Sequence, residues 1–347
     1  MVVLNGAKDC TEMKNWKSEL KSGLKEKSDL ESFFQVDFPQ LDFKTLIPLA
    51  LANKIKNAGP DSVLWKQFLP SENEKSSEGL KDPIGDEKYN RAPQLIHRYF
   101  NRALFLPTSV CPVYCRYCFR KNELGTKKLF TPDFEKTKKY LQHHPEIEEL
   151  IFSGGDPFIL TTDKIDFYLS NFKNLKYIRF HTRTPIILPS RFDQELLDTL
   201  KKHRENFDQI SIAIHTNHID EIDLEVEDTI KKLGSLGITL LSQTVLLKGI
   251  NDDPQTLKDL FLKLSSLNIK PYYLHHPDQV KGGMHFYLPL RRGREIYLKL
   301  RDILPGWAIP QYVIESPKGG GKVPAFNPES LDFSGKLIGK SGEISFY

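Results

Sequence analysis

Three cysteines fall within eight residues, as Cys111-Pro-Val-Tyr-Cys115-Arg-Tyr-Cys118, in a 347-residue chain that has four cysteines in all. The C-x3-C-x2-C run offers three thiolates, no second cysteine pair, and no nearby histidine of matching spacing. A closed zinc site takes four ligands, commonly as two paired Cys/His units. A four-iron cluster that only carries electrons takes a thiolate on every iron. Three thiolates leave one iron open to a further ligand, so the run points to an iron–sulfur cluster with chemistry at the open iron. A disulfide scaffold would spread its cysteines through a shorter chain, so the clustering also implies a reducing compartment. Cys10 stands apart and reads as an ordinary free thiol.

Two glycine-rich runs could take part in the same chemistry. Ser153-Gly154-Gly155-Asp156 ends an apolar stretch, and backbone without side chains there lets a ligand approach closely. A plain strand-to-helix turn is the alternative. Gly319-Gly320-Gly321-Lys322-Val323-Pro324 sets one lysine at a fixed place on a tightly bendable backbone. It is not a P-loop, which needs G-x4-G-K-[ST]. A lysine can hold pyridoxal 5′-phosphate (PLP), a cofactor that stabilises an electron or carbanion next to nitrogen. Taken alone, the run also suits a surface loop.

The cysteine run, placed directly after a strand and with Tyr117 before its last cysteine, resembles the radical S-adenosylmethionine (SAM) superfamily. Over nearly all of its length after residue 90 the chain resembles the lysine 2,3-aminomutase family. The matching segments are HRYFNRALFL (97–106), CPVYCRYCFR (111–120), IFSGGDP (151–157), RTPIILPSR (183–191), SQTVLLKGIND (242–252), PYYLHHPDQVKGGMHF (271–286) and SPKGGGKVP (316–324). The resemblance implies a [4Fe-4S] cluster on Cys111, Cys115 and Cys118, with SAM on the open iron and a 5′-deoxyadenosyl radical formed on reduction. It places Ser153, Gly154, Gly155 and Asp156 at the amino group of SAM, with His215 and Gln243 lining the SAM site. It implies PLP on Lys322, the phosphate held by Arg98 and Arg102, and Tyr99 near the ring. Arg120 matches the position that pairs with the substrate carboxylate. Asp278 and Glu315 match the pair that receives the distal ammonium of lysine.

The implied activity is that of an isomerase, moving the 2-amino group of L-lysine to carbon 3 to give β-lysine. A reductant such as flavodoxin or ferredoxin would supply the electron. Two features depart from the clostridial-type enzymes. Glu315 stands where they carry aspartate, and no cysteine follows Cys118 to build their zinc-binding tail. No zinc is expected, and the homo-oligomeric state stays open. Both features resemble the branch that supplies (R)-β-lysine for elongation factor P, whereas the triple-glycine loop resembles the free-lysine branch. Three other readings remain: an aminomutase for another amino acid, a radical SAM enzyme without PLP, and an electron-transfer or structural iron–sulfur protein.

The elements that would position these residues can be read from period and punctuation. From about residue 100, short β-rich segments alternate with amphipathic ones. RALFLPT (102–108), ELIFSG (149–154), YIRFHT (177–182), QISIAIH (209–215), TLLSQTV (239–245) and KPYYLHH (270–276) precede helices near 132–143, 163–172, 192–204, 222–235, 254–267 and 291–302. Parallel neighbours need crossovers, so six such units imply an α/β fold, a partial (β/α)6 radical SAM barrel with its working face at the strand C-termini. Residues 1–95 read as an N-terminal helical region, with helices in WKSELKSGLK and FKTLIPLALANKIKNAG. Residues 96–290 read as the barrel, and 291–347 as a C-terminal segment carrying the PLP lysine. The polar stretch 71–90 reads as an exposed connection. Lys+Arg exceed Asp+Glu only by 49 to 45, which gives no case for nucleic acid. No apolar run is long enough for a membrane span and none resembles a signal peptide, so a cytoplasmic enzyme is expected.

Overall fold

The computed structural model describes residues 15–124, 129–316, 320–326, 336–338 and 344–346. Cys10 and Gly319 lie outside these residues. Four short helices lead in: α1 (Trp16–Lys21), α2 (Lys27–Phe34), α3 (Leu49–Ala58) and α4 (Val63–Phe68). The apolar period had suggested a helix from Phe43. Pro48 instead caps α3, because a proline disfavours helical backbone in the residue before it, and Ile47 pairs with Leu24 as a β-bridge.

Ten strands then form one sheet in chain order. β1 (Asn90–Ala92) and β2 (Leu95–Tyr99) run antiparallel into β3 (Arg102–Thr108). From β3 onward the neighbours are parallel: β4 (Glu149–Gly154), β5 (Tyr177–Thr182), β6 (Gln209–His215), β7 (Thr239–Val245), β8 (Lys270–His275) and β9 (Gln311–Ser316). β10 (Gly321–Pro324) folds back antiparallel on β9, and β11 (Lys336–Ile338) pairs with β12 (Ile344–Phe346) apart from this sheet. The crossovers use α5 (Phe134–His143), α6 (Thr162–Asn171), α7 (Thr184–Ile187) with α8 (Gln194–Arg204), α9 (Leu224–Ser235), α10 (Pro254–Ser266) and α11 (Leu290–Ile303). Asp133, Asp193, Asp223 and Asp253 each begin one of these helices by accepting a bond from the backbone N–H three residues on. Such caps satisfy donors that the helix itself leaves open.

The six expected strand–helix units are present, and β9 adds a seventh parallel strand that carries the sheet into the C-terminal segment. The domain boundaries expected at 95/96 and 290/291 fall inside β2 and α11, so the sheet crosses both.

Within the strands the period of two sorts side chains by destination. Ile178 and Phe180 of β5, Ile210, Ile212 and Ile214 of β6, and Leu240 of β7 are buried in the main core. Phe180 stacks between Phe152 and Phe158, each 4.8 Å away centre to centre. Many of the alternates that face the lumen are polar, among them Ser153 on β4, Arg179 and His181 on β5, Ser211 and His215 on β6, and Gln243 on β7. A lumen lined this way cannot pack dry, because buried polar groups need partners.

The stretch 71–90 is not a free connection. Short 3-10 turns form over Glu72–Lys75 and Glu87–Tyr89, and Glu74, Ile84 and Asp86 are buried. Leu80 bridges to Val280. Two of its carboxylates, Glu74 and Asp86, face buried cations. Glu74 accepts from Arg116 at 2.5 Å and from Lys121 at 2.8 Å, and both cations belong to the cysteine loop. Burial works against the Glu74 carboxylate, but Arg116 and Lys121 outweigh it and hold its pKa below the ordinary value. Glu74→Gln would leave both cations buried without a carboxylate. It is expected to cost about 3–5 kcal/mol in denaturant unfolding of the purified protein.

Candidate active site

The three cysteines, Ser153–Asp156, His215, Gln243, Arg98, Tyr99, Arg102, Arg120, Asp278, Glu315 and Lys322 line one cavity of about 730 Å³ in the barrel. Cys111, Cys115 and Cys118 lie at the C-terminal ends of the strands, on the loop after β3. Burial pushes all three thiols up, Cys118 to about 12. Without a metal they are held as neutral thiols, and a cationic iron–sulfur core is what would make buried thiolates tolerable. Among the described residues no three His, Cys, Asp or Glu converge on a single-ion site. The wider span of a multi-iron cluster asks less convergence, and a three-thiolate donor set suits a cluster with one open iron.

The Ser153–Asp156 turn docks against the cysteine loop. The N–H of Gly155 donates to Thr108 at 2.8 Å, and that of Asp156 to Val110 at 2.8 Å. Gly154 has φ +110°, and a Cβ there would lie 2.4 Å from the Thr108 carbonyl oxygen. A Cβ on Gly155 would lie 2.1 Å from that of Val110. Both glycines are therefore required by this approach of backbone to backbone. Asp156, which the resemblance places at the amino group of SAM, is engaged within the protein. Its carboxylate accepts from Thr182 Oγ1 at 2.8 Å and from the N–H groups of Phe158, Arg183 and Thr184 at 3.1, 2.7 and 3.1 Å. The side chain is occupied in holding the turn to β5, which leaves the backbone of 153–155 to meet a ligand.

His215 shares a 2.7 Å hydrogen bond with Tyr117, and Gln243 lies 3.3 Å from His181. Burial lowers the pKa of His215, His181 and His275, the last to about 3 with help from the charge of Lys322. These imidazoles are neutral and act as hydrogen-bonding groups.

The other end of the cavity holds a chain of charges of alternating sign. Lys322 and Glu315 are direct cross-strand partners on β10 and β9, and their side chains form an ion pair. Glu315 also accepts from Arg98 at 3.2 Å. Arg98 pairs with Asp86 at 2.7 Å, Asp86 with Arg120 at 2.6 Å, and Arg120 with Glu123 at 3.4 Å. Arg98, which the resemblance places at the PLP phosphate, here contacts two carboxylates and the carbonyl of Ile84. Arg102 has no carboxylate partner among the described residues and lies over the Tyr99 ring at 3.9 Å. Arg120, expected at the substrate carboxylate, is held on two sides; only its buried Nε–H lacks a partner. Tyr99 accepts from the backbone N–H of Lys322 at 2.8 Å, which ties the lysine's strand to the end of β2.

Asp278 faces the same space without a cationic partner among the described residues. Burial and the charge of Glu315 push its pKa up to about 7. Three features escaped the sequence reading. Asp86 lies in a stretch whose polarity gave no sign of burial. Arg183 belongs to a matched segment to which no role attached. Arg179 and His181 could have been found as polar alternates within the apolar strand YIRFHT.

An open parallel barrel with three loop thiols and a glycine turn at its mouth defines a radical SAM protein, and residues 105–261 match the Radical SAM superfamily. L-lysine 2,3-aminomutases of Methanococcus maripaludis and Haemophilus influenzae are each 34% identical, covering 89% and 88% of this chain and 76% and 93% of their own. The Escherichia coli L-lysine 2,3-aminomutase is 33% identical, over 81% of this chain and 83% of its own. The chain belongs to the L-lysine 2,3-aminomutase family.

Because the folded pKa of Asp278 is raised, the unfolded chain gives up this proton first. Stability is thus lost as pH rises from about 4 to about 7. Asp278→Asn is expected to stabilise the cofactor-free protein by on the order of 2 kcal/mol near pH 8 and by much less near pH 5, measured as the difference in Tm from wild type at each pH.

Proposed function

We propose that this chain moves the 2-amino group of L-lysine to carbon 3, as a radical SAM and PLP-dependent isomerase. The observation that carries the substrate is Asp278: a carboxylate beside Glu315, in the same cavity as the cysteines and Lys322, with no cation of its own. Two carboxylates close together are costly unless a cation sits between them, and the distal ammonium of lysine is such a cation. When bound, the cluster with SAM supplies a carbon radical, and PLP holds the migrating nitrogen and spreads the unpaired electron.

The residues divide the remaining work. Cys111, Cys115 and Cys118 offer three thiolates to the cluster. Lys322 would offer its amine to PLP, and Glu315, bonded also to Arg98, would lend its carboxylate to the substrate ammonium. Arg102 is the guanidinium best placed to take a phosphate, since its charge is not spent on a carboxylate. The unpartnered Nε–H of Arg120 can take the substrate carboxylate. Tyr117 and His215 brace each other beside the cysteine loop. Fixing lysine at both ends presents one carbon to the radical, which is orientation rather than chemistry by the protein.

A low-potential one-electron donor of the flavodoxin or ferredoxin type suits the cluster, and the reduced thiols suit a cytoplasmic setting. No helix among the described residues is long and apolar enough to cross a membrane.

The test is product analysis after anaerobic reconstitution with iron, sulfide, PLP, SAM and a strong reductant, supplying L-lysine. Wild type is expected to form β-lysine, and Lys322→Ala to form none while still cleaving SAM. SAM cleavage with lysine returned unchanged by the wild type would sink the substrate assignment. Asp278→Asn is expected to raise KM for lysine roughly a hundredfold or more. In the wild type KM should fall as pH rises through about 7, where Asp278 becomes anionic.

A further inference from the structure

Arg183 lies in none of the roles above, yet among the described residues its guanidinium donates to a cluster thiol. Its side chain is 6% exposed, and its Nη1 donates to Cys115 Sγ at 3.3 Å. Its Nη2 donates to Glu221 at 2.6 Å and to Gln67 at 3.2 Å. The guanidinium lies over the Phe68 ring at 4.7 Å and the Tyr117 ring at 5.6 Å, which leaves it no room to swing away. Its own N–H is held by Asp156 at 2.7 Å. Glu221, in turn, is held by Gln67, Thr216 and the N–H groups of Asn217 and His218, at 3.0–3.1 Å. This is more fixation than packing alone asks of an arginine, and it aims one charged N–H at one sulfur.

Hydrogen bonds to cluster sulfurs and the net charge around them set the potential of an iron–sulfur centre. Reduction adds negative charge that spreads onto the ligand sulfurs. A cationic donor at the sulfur stabilises the reduced state more than the oxidised one, and so raises the potential. Glu221 acts in the opposite sense from behind the guanidinium, and in a buried setting neither charge is screened away.

We propose that Arg183, with Glu221 behind it, is a positioning residue that sets the reduction potential of the cluster through its bond to the Cys115 sulfur. The inference rests on the cysteines holding that cluster. It predicts effects of opposite sign from two neighbours in one ion pair, which a merely structural role does not give.

The experiment is an anaerobic redox titration of the reconstituted protein, without SAM, followed by the electron paramagnetic resonance signal of the reduced cluster. Arg183→Gln should move the midpoint to more negative potential. Arg183→Lys, which keeps the charge but not the planar fork, should fall between it and wild type. Glu221→Gln, which keeps the shape, should move the midpoint to more positive potential. Midpoints unchanged in Arg183→Gln and Glu221→Gln, or displaced in the same direction, overturn the proposal. If Arg183→Gln does not fold, Glu221→Gln decides alone: a positive shift upholds it, and no shift or a negative one overturns it. A wild type that takes up no cluster removes the cysteine assignment and this proposal together. A wild type with a cluster and cleaved SAM but no ordered shifts removes this proposal only.

Discussion

Six charges of alternating sign, Lys322, Glu315, Arg98, Asp86, Arg120 and Glu123, run from the last strand of the sheet to the cysteine loop. Most of them are nearly buried, and none is tolerable there alone. Each therefore fixes its neighbours. The series joins β10, β9, β2, the 71–90 segment and the loop that carries Cys118, which are otherwise far apart in sequence. It also answers a problem of topology. The hydrogen-bonded ladder ends at β1 on one side and β10 on the other, so backbone pairing does not close the barrel. Side chains close it: Arg98 reaches Glu315, and Tyr99 reaches the backbone of Lys322.

A second set of buried charges works on the opposite side of the cysteine loop. Glu74 holds Arg116 and Lys121, and Glu221 holds Arg183. Gln67 of α4 bonds to both members of the Arg183–Glu221 pair, and its carbonyl accepts from the N–H of Arg116. The N-terminal helices thus reach the site through α4 and the segment that follows it. The loop that presents three thiols is clamped by these charges as well as by the buried Val113 and by Tyr117 against Phe286.

The barrel was legible because its strands are short apolar runs and its helices carry an amphipathic period, both local signals. Cys111, Cys115 and Cys118 were legible because their spacing carries the chemistry, and Lys322 was singled out through the family resemblance. What escaped is what only the fold brings together. Glu74 and Asp86 look like ordinary surface acids until Arg116 and Arg98 are placed beside them from elsewhere in the chain. The bonds from Thr182 and the Arg183 N–H that hold the Asp156 carboxylate to β5 could not be read from its motif, because they come from a separate strand. Pro48 shortened α3 against the apolar period, since backbone sterics outrank pattern there. Sequence finds chemistry that is local and misses buried charge pairing that is not.

Glu315 and Asp278 face the same space under unequal constraints. Glu315 belongs to the seam of the barrel, tied to Arg98 and opposite Lys322 in register, so any replacement there disturbs the enclosure as well as the ligand. Asp278 carries no ion pair among the described residues and is free of that duty. A lineage drifting toward a different amino acid would accordingly find its accessible mutational path at Asp278, with Glu315 left as the inherited part of the pocket.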